Sequence, residues 1–119
     1  MRRQRPEAEI QRALIGHLAV RAVDHLYAFA VEAGGYRRPV EAAVLKGLGV
    51  VAGVPDLIVI HEGHTYALEL KADGGRLSEV QKAAHVALRR AGATVAVAYG
   101  LDAAIKQLED WHLLRGRVQ

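Results

Sequence analysis

The chain has 119 residues, a formal net charge of +3, 51% hydrophobic and 24% charged residues and no cysteine. That is one soluble globular domain, residues 1–119, with an ordinary hydrophobic core and neither a disulfide framework nor a thiolate metal site. The start, Met1-Arg2-Arg3-Gln4-Arg5-Pro6-Glu7, lacks the apolar core of a secretory signal, and no apolar run is long enough to span a bilayer. A cytoplasmic location and no membrane partner are therefore expected. The mild positive charge raises slightly the expectation of a polyanionic partner.

In chain order, Pro6 with Glu7 and Glu9 marks a helix start, and Ile10, Leu14 and Leu18 give it a buried stripe as far as about Val23. Leu26 to Val31 reads as a first strand or as continued helix, and Gly34-Gly35 ends it. Pro39 to Leu48 keeps helical spacing through Val40, Val44 and Leu48. Two apolar runs around His61-Glu62-Gly63-His64, spanning Asp56 to Lys71, form a β-hairpin. Asp73-Gly74-Gly75 is a loop, and Ser78 caps a helix reaching Ala91 whose core face is Val80, Ala84, Ala87 and Leu88. Thr94 to Tyr99 has small residues on both faces, the pattern of a covered interior strand. Asp102 caps a last helix to about Glu109, and Trp111, Leu113 and Leu114 fold back onto the core. The expected fold is a three-layer α/β sandwich, a mixed sheet of about four strands with helices on both faces.

The hairpin carries the chemistry. With its turn centred between Glu62 and Gly63, Ile60 faces Thr65 and Asp56 faces Glu69. Carboxylates directly opposite each other lie about 5 Å apart and repel unless a cation lies between them. Lys71 shares the face of Glu69 by the strand's period of two. The bland alternative, a solvated Glu69 paired with Lys71, weakens because Leu57, Val59, Tyr66, Leu68 and Leu70 make both strands strongly apolar. Oxygen donors alone, from Asp56, Glu69 and the Leu70 backbone carbonyl, suit Mg²⁺ or Mn²⁺ rather than zinc. No organic cofactor is implied.

Gln81 is explained first by a capping box with Ser78, although its helix starts close enough to Lys71 for it also to reach a phosphate. Glu7 and Glu9 have an ordinary role as first-turn acids, and either one can add an outer metal ligand. His61 and His64 flank the hairpin turn, and His17, His85 and His112 read as ordinary half-buried residues. Among the basic residues, Arg37, Arg38, Lys46 and Arg76 lie beside the proposed site and suit phosphate contacts without base reading.

Taken together, Gly53-Val54-Pro55-Asp56-Leu57, Glu69-Leu70-Lys71, and Leu77-Ser78 with Gln81 resemble the VRR-NUC domain, the virus-type replication-repair branch of the PD-(D/E)xK nuclease superfamily. Gly34-Gly35-Tyr36-Arg37 and Gly92 also fit that pattern. The resemblance implies an αβββαβ core and a Mg²⁺- or Mn²⁺-dependent endonuclease. Its metal ligands would be Asp56 and Glu69, its catalytic lysine Lys71, and Gln81 would belong to the site together with a first-helix glutamate, matched to Glu7 with Glu9 as the alternative. It further implies branched, junction or flap DNA as substrate in replication, repair or recombination, a homodimer, and a bacterial cell or phage-infected host. A non-catalytic nucleic-acid-binding module of the same fold and a nuclease acting on RNA are the alternatives.

Overall fold

The computed structural model describes residues 5–31 and 39–116. In chain order they form α1 (Arg5–Arg21), β1 (Leu26–Ala30), α2 (Pro39–Gly47), β2 (Leu57–His61), β3 (His64–Lys71), α3 (Glu79–Arg90), β4 (Thr94–Tyr99) and α4 (Leu101–Asp110). Residues 26–30 are a strand, which decides between the two readings of that segment. Gly34-Gly35-Tyr36, Arg37 and Arg38 lie outside the described residues.

The four strands stand in the order β1-β2-β3-β4. β1, β2 and β3 pair antiparallel, and β4 joins β3 in parallel after the crossover through α3. Ile60 pairs with Thr65 and His61 with His64, so Glu62-Gly63 is the turn. Both turn residues have positive φ, 51° and 78°, the backbone that matches the twist of a two-residue hairpin. This register determines which side of the sheet every hairpin side chain faces.

One face of the sheet presents Leu57, Val59, Leu68, Leu70 and Ala98 to Leu14 and Leu18 of α1 and to Ala104, Ile105 and Leu108 of α4. Leu113 and Leu114 close this core and Trp111 packs against it, as their apolar character predicts. The opposite face carries Asp56, Ile58, Ile60, Ala67, Glu69, Lys71, Val95 and Val97, and α3 lies over its β3–β4 half. Helices thus cover both faces, but unevenly. On the β1–β2 half of the α3 side, Tyr27, Phe29 and Ile60 remain exposed.

Two expectations change. β4 is an edge strand rather than an interior one, because its small residues reflect cover by α3 and α4 on the two faces, not a strand on each side. Asp102 is not the cap of α4. The N-cap is Gly100, at φ 91°, whose N–H bonds the Lys71 carbonyl at 2.9 Å. A turn that passes straight from strand to helix with positive φ suits glycine, and Asp102 sits inside the first turn, where it still faces the positive end of the dipole.

The last described residues are tied to α1. Arg21 donates from Nε to the Arg115 carbonyl at 2.9 Å and pairs with Glu109, while the Arg115 N–H returns to the Arg21 carbonyl at 2.7 Å. No helix among the described residues is long and apolar enough to cross a membrane. Leu14 and Leu68 are both fully enclosed. Truncating either to alanine should cost about 2–5 kcal/mol, read as a lower urea midpoint at unchanged slope.

Candidate active site

Asp56 enters β2 directly after the buried Pro55, and its backbone carbonyl accepts from the Val31 N–H at 2.8 Å, which fixes it against the end of β1. Its carboxylate Oδ2 accepts from the Leu70 N–H at 2.7 Å. The last ladder pair is Leu57 with Leu68, so extending the register by one residue sets Asp56 opposite Glu69. Asp56, Glu69 and Lys71 are all buried, at 6%, 2% and 9% exposure, on the α3 side of the sheet. The hairpin therefore brings the three residues together as their spacing predicts.

The N–H and C=O of one strand residue point to the same side. Because the Leu70 N–H turns toward Asp56, the Leu70 carbonyl does too. The Lys71 carbonyl points the other way, to Gly100. No described residue makes a hydrogen bond or ion pair with the Lys71 ammonium. Its stem is packed by the following loop, where a Cβ on Gly75 would lie 3.4 Å from Lys71 Cβ and Cδ.

Helix α3 closes the site from above. Ser78 Oγ accepts from the Gln81 N–H at 3.1 Å, and Gln81 Oε1 accepts from the Ser78 N–H at 2.9 Å, so the expected capping box is present and engages the carbonyl end of Gln81. The glycine of the Gly53-Val54-Pro55-Asp56 run sets the helix's position. Gly53 has φ 82°, and a Cβ there would stand 2.6 Å from the Val80 carbonyl oxygen. Only a residue without a side chain lets the chain pass this close to the first turn of α3.

The buried face of α3 is Ala84 and His85, with Gln81 and Leu88 half-buried, whereas Val80 and Ala87 are exposed. This corrects the core face expected from hydrophobicity. The sheet beneath carries Glu69 and Lys71, and the helix meets that polar surface with a polar side chain. His85, 2% exposed, places Nε2 3.1 Å from Glu69 Oε1. Its pKa lies below the ordinary imidazole range, chiefly through burial and then through the Arg89 charge, with Asp56 opposing and Lys71 adding to the shift. His85 is therefore more than the ordinary half-buried residue that its sequence context predicts. The available signal was its place one helical turn after Gln81, on the same side of the helix.

Glu7 is half-buried and continues the inward stripe of Leu14 and Leu18, while Glu9 is exposed. Lys46 lies in the last turn of α2 and Arg76 in the loop before α3, both exposed. His64 bonds Thr94 Oγ1 at 2.6 Å and meets Tyr66 edge-on, a structural role at the far end of β3. Among the described residues, no group of three His, Asp or Glu side chains forms a ready cage for a metal. Two buried carboxylates beside a backbone carbonyl nevertheless fit Mg²⁺ or Mn²⁺, because Mg²⁺ usually binds through one or two carboxylates and keeps several waters.

A family model described as the VRR-NUC domain matches residues 36–102. A solved structure described as "VRR_NUC domain protein" has a TM-score of 0.71 and 26% identity, over 96% of this chain and 94% of that one. A second, described as "VRR_NUC domain", has a TM-score of 0.58 and 19% identity, over 88% of this chain and 95% of that one, and bears on the fold alone. No curated protein matches the chain.

Gly53 and Gly63 both hold positive φ, but at Gly63 nothing lies within 4 Å of an added Cβ. Gly63→Ala should cost about 1–2 kcal/mol from backbone strain alone. Gly53→Ala should lose about 1–3 kcal/mol more through the collision with α3, and urea unfolding of the two variants measures the difference.

Proposed function

Because this chain belongs to the VRR-NUC nuclease family, we propose that it is a Mg²⁺- or Mn²⁺-dependent endonuclease that hydrolyses phosphodiester bonds of branched, junction or flap DNA. The buried Asp56–Glu69 pair with Lys71 on one face of the sheet carries the reading. Two acids so enclosed repel each other, and a divalent cation between them turns that cost into binding energy.

Asp56, Glu69 and the Leu70 carbonyl would hold the ion. When bound, it neutralises charge on the phosphoryl oxygens and lowers the pKa of water. Lys71, adjacent in sequence to the Leu70 carbonyl and unpaired among the described residues, orients the attacking water or meets the charge developing on the phosphate. Gln81 contributes through its amide nitrogen, which takes no part in the capping box. Glu7 is the better candidate of the two first-helix acids. α1 turns directly into β1 at Asp24-His25, and β1 begins opposite His61, so the first turn of α1 lies toward the end of the sheet away from the hairpin turn, on the face opposite Lys71.

Exposed Lys46 and Arg76, together with Arg37 and Arg38, are proposed to contact phosphates. Such contacts position a duplex without reading bases, which suits recognition by shape. A homodimer is part of the proposal. The apolar residues Val40 and Val44 of α2, Leu48 just after it, and the open sheet face of Tyr27, Phe29 and Ile60 are exposed on the same chain and give it surface to bury.

A panel of labelled junctions, flaps, linear duplexes and matched RNA duplexes, with and without Mn²⁺, tests the reading. Mn²⁺-dependent cleavage of branched DNA is expected, and cleavage of RNA alone would move the substrate class. Lys71→Ala should lower turnover about 10²–10³-fold with Mn²⁺ binding retained, whereas Asp56→Asn should lose both. Asp56→Asn keeps an acceptor for the Leu70 N–H and removes one like charge, so the metal-free melting temperature should hold or rise. A clear fall would argue against close approach of the two acids.

A further inference from the structure

Glu69 is 2% exposed, so its carboxylate takes its hydrogen bonds from the protein. One donor is explicit: His85 Nε2, 3.1 Å from Oε1, itself 2% exposed. An ionised carboxylate only accepts, so against an ionised Glu69 it is Nε2 that carries the hydrogen and donates. Asp56 is held in the corresponding way, with Oδ2 taking the Leu70 N–H at 2.7 Å. Each acid thus has one oxygen fixed by a donor on a rigid element, a strand for Asp56 and a helix for Glu69. Helix α3 is in turn set by the capping box and by the Gly53–Val80 approach.

We propose that His85 is a positioning residue for the divalent metal, its Nε2–H holding the Glu69 carboxylate in the orientation that binds the ion. The role rests on the metal-dependent reading above. His85 is not a ligand. It acts through Glu69, as outer-shell donors orient first-shell ligands and set their affinity. The buried imidazole also gives α3 a reason to press a polar residue onto the sheet where an apolar one would leave Glu69 without this bond.

The test needs no DNA. Mn²⁺ binding to the full chain is titrated by electron paramagnetic resonance of the free ion, with the metal-free melting temperature measured in parallel, for wild type, His85→Leu, His85→Gln and Asp56→Asn. His85→Leu should bind Mn²⁺ about 10–100-fold more weakly. His85→Gln, which restores an N–H donor, should recover most of that loss. In wild type, nitrogen NMR of the His85 ring should show a hydrogen on Nε2 and a shift on adding Mg²⁺, a measurement independent of whether the Leu variant folds. If His85→Leu binds as wild type does while Asp56→Asn does not, or if the ring signal ignores Mg²⁺, the positioning role is overturned and the nuclease reading stands. If wild type binds no Mn²⁺, both fall.

Discussion

Two negative charges enclosed on one face of a sheet are the constraint around which this chain is arranged. Burial raises the cost of each charge, and proximity raises it again. The fold does not relieve this by moving Asp56 or Glu69 to solvent. It supplies N–H donors, one from the Leu70 backbone and one from His85, and sets Lys71 on the same strand face. The hairpin register, the placement of α3 and the glycine at position 53 all follow from holding these groups in one small volume.

The division of the sheet into two unlike faces follows from the same need. The α1–α4 side is an ordinary hydrocarbon core of leucine, valine and alanine. The α3 side is part apolar and part charged, and only half of it is roofed. The open half, where Tyr27, Phe29 and Ile60 are exposed, is the surface offered above to a second copy of the chain. The exposed aromatic residues of β1 belong to that less finished side.

Much of this was legible because the informative patterns were local. A two-residue turn and a strand period of two set the pairing of Ile60 with Thr65, and the position of Asp56 opposite Glu69 follows from it by counting. Ser78 and Gln81 announced the start of α3 by their spacing. What could not be read was tertiary. Val80 looked like a core residue because it is apolar, yet the chain at Gly53 passes over it and the helix turns His85 inward instead. The small residues of β4 show that it is covered but not whether another strand lies beside it. His85 has only its place one helical turn after Gln81 to mark it, and a lone histidine acquires meaning when a partner such as Glu69 is found beside it.

The tie between Arg21 and Arg115 has a consequence for how the domain is made. Hydrogen bonds spanning 94 positions cannot form on a ribosome until almost all of this domain has emerged, whereas the hairpin that carries the acids needs only its own neighbours. The acid-bearing hairpin can therefore take shape early in synthesis. The clasp that seals the hydrocarbon side comes late, and a nascent chain would hold a half-formed centre that α3 has yet to cover.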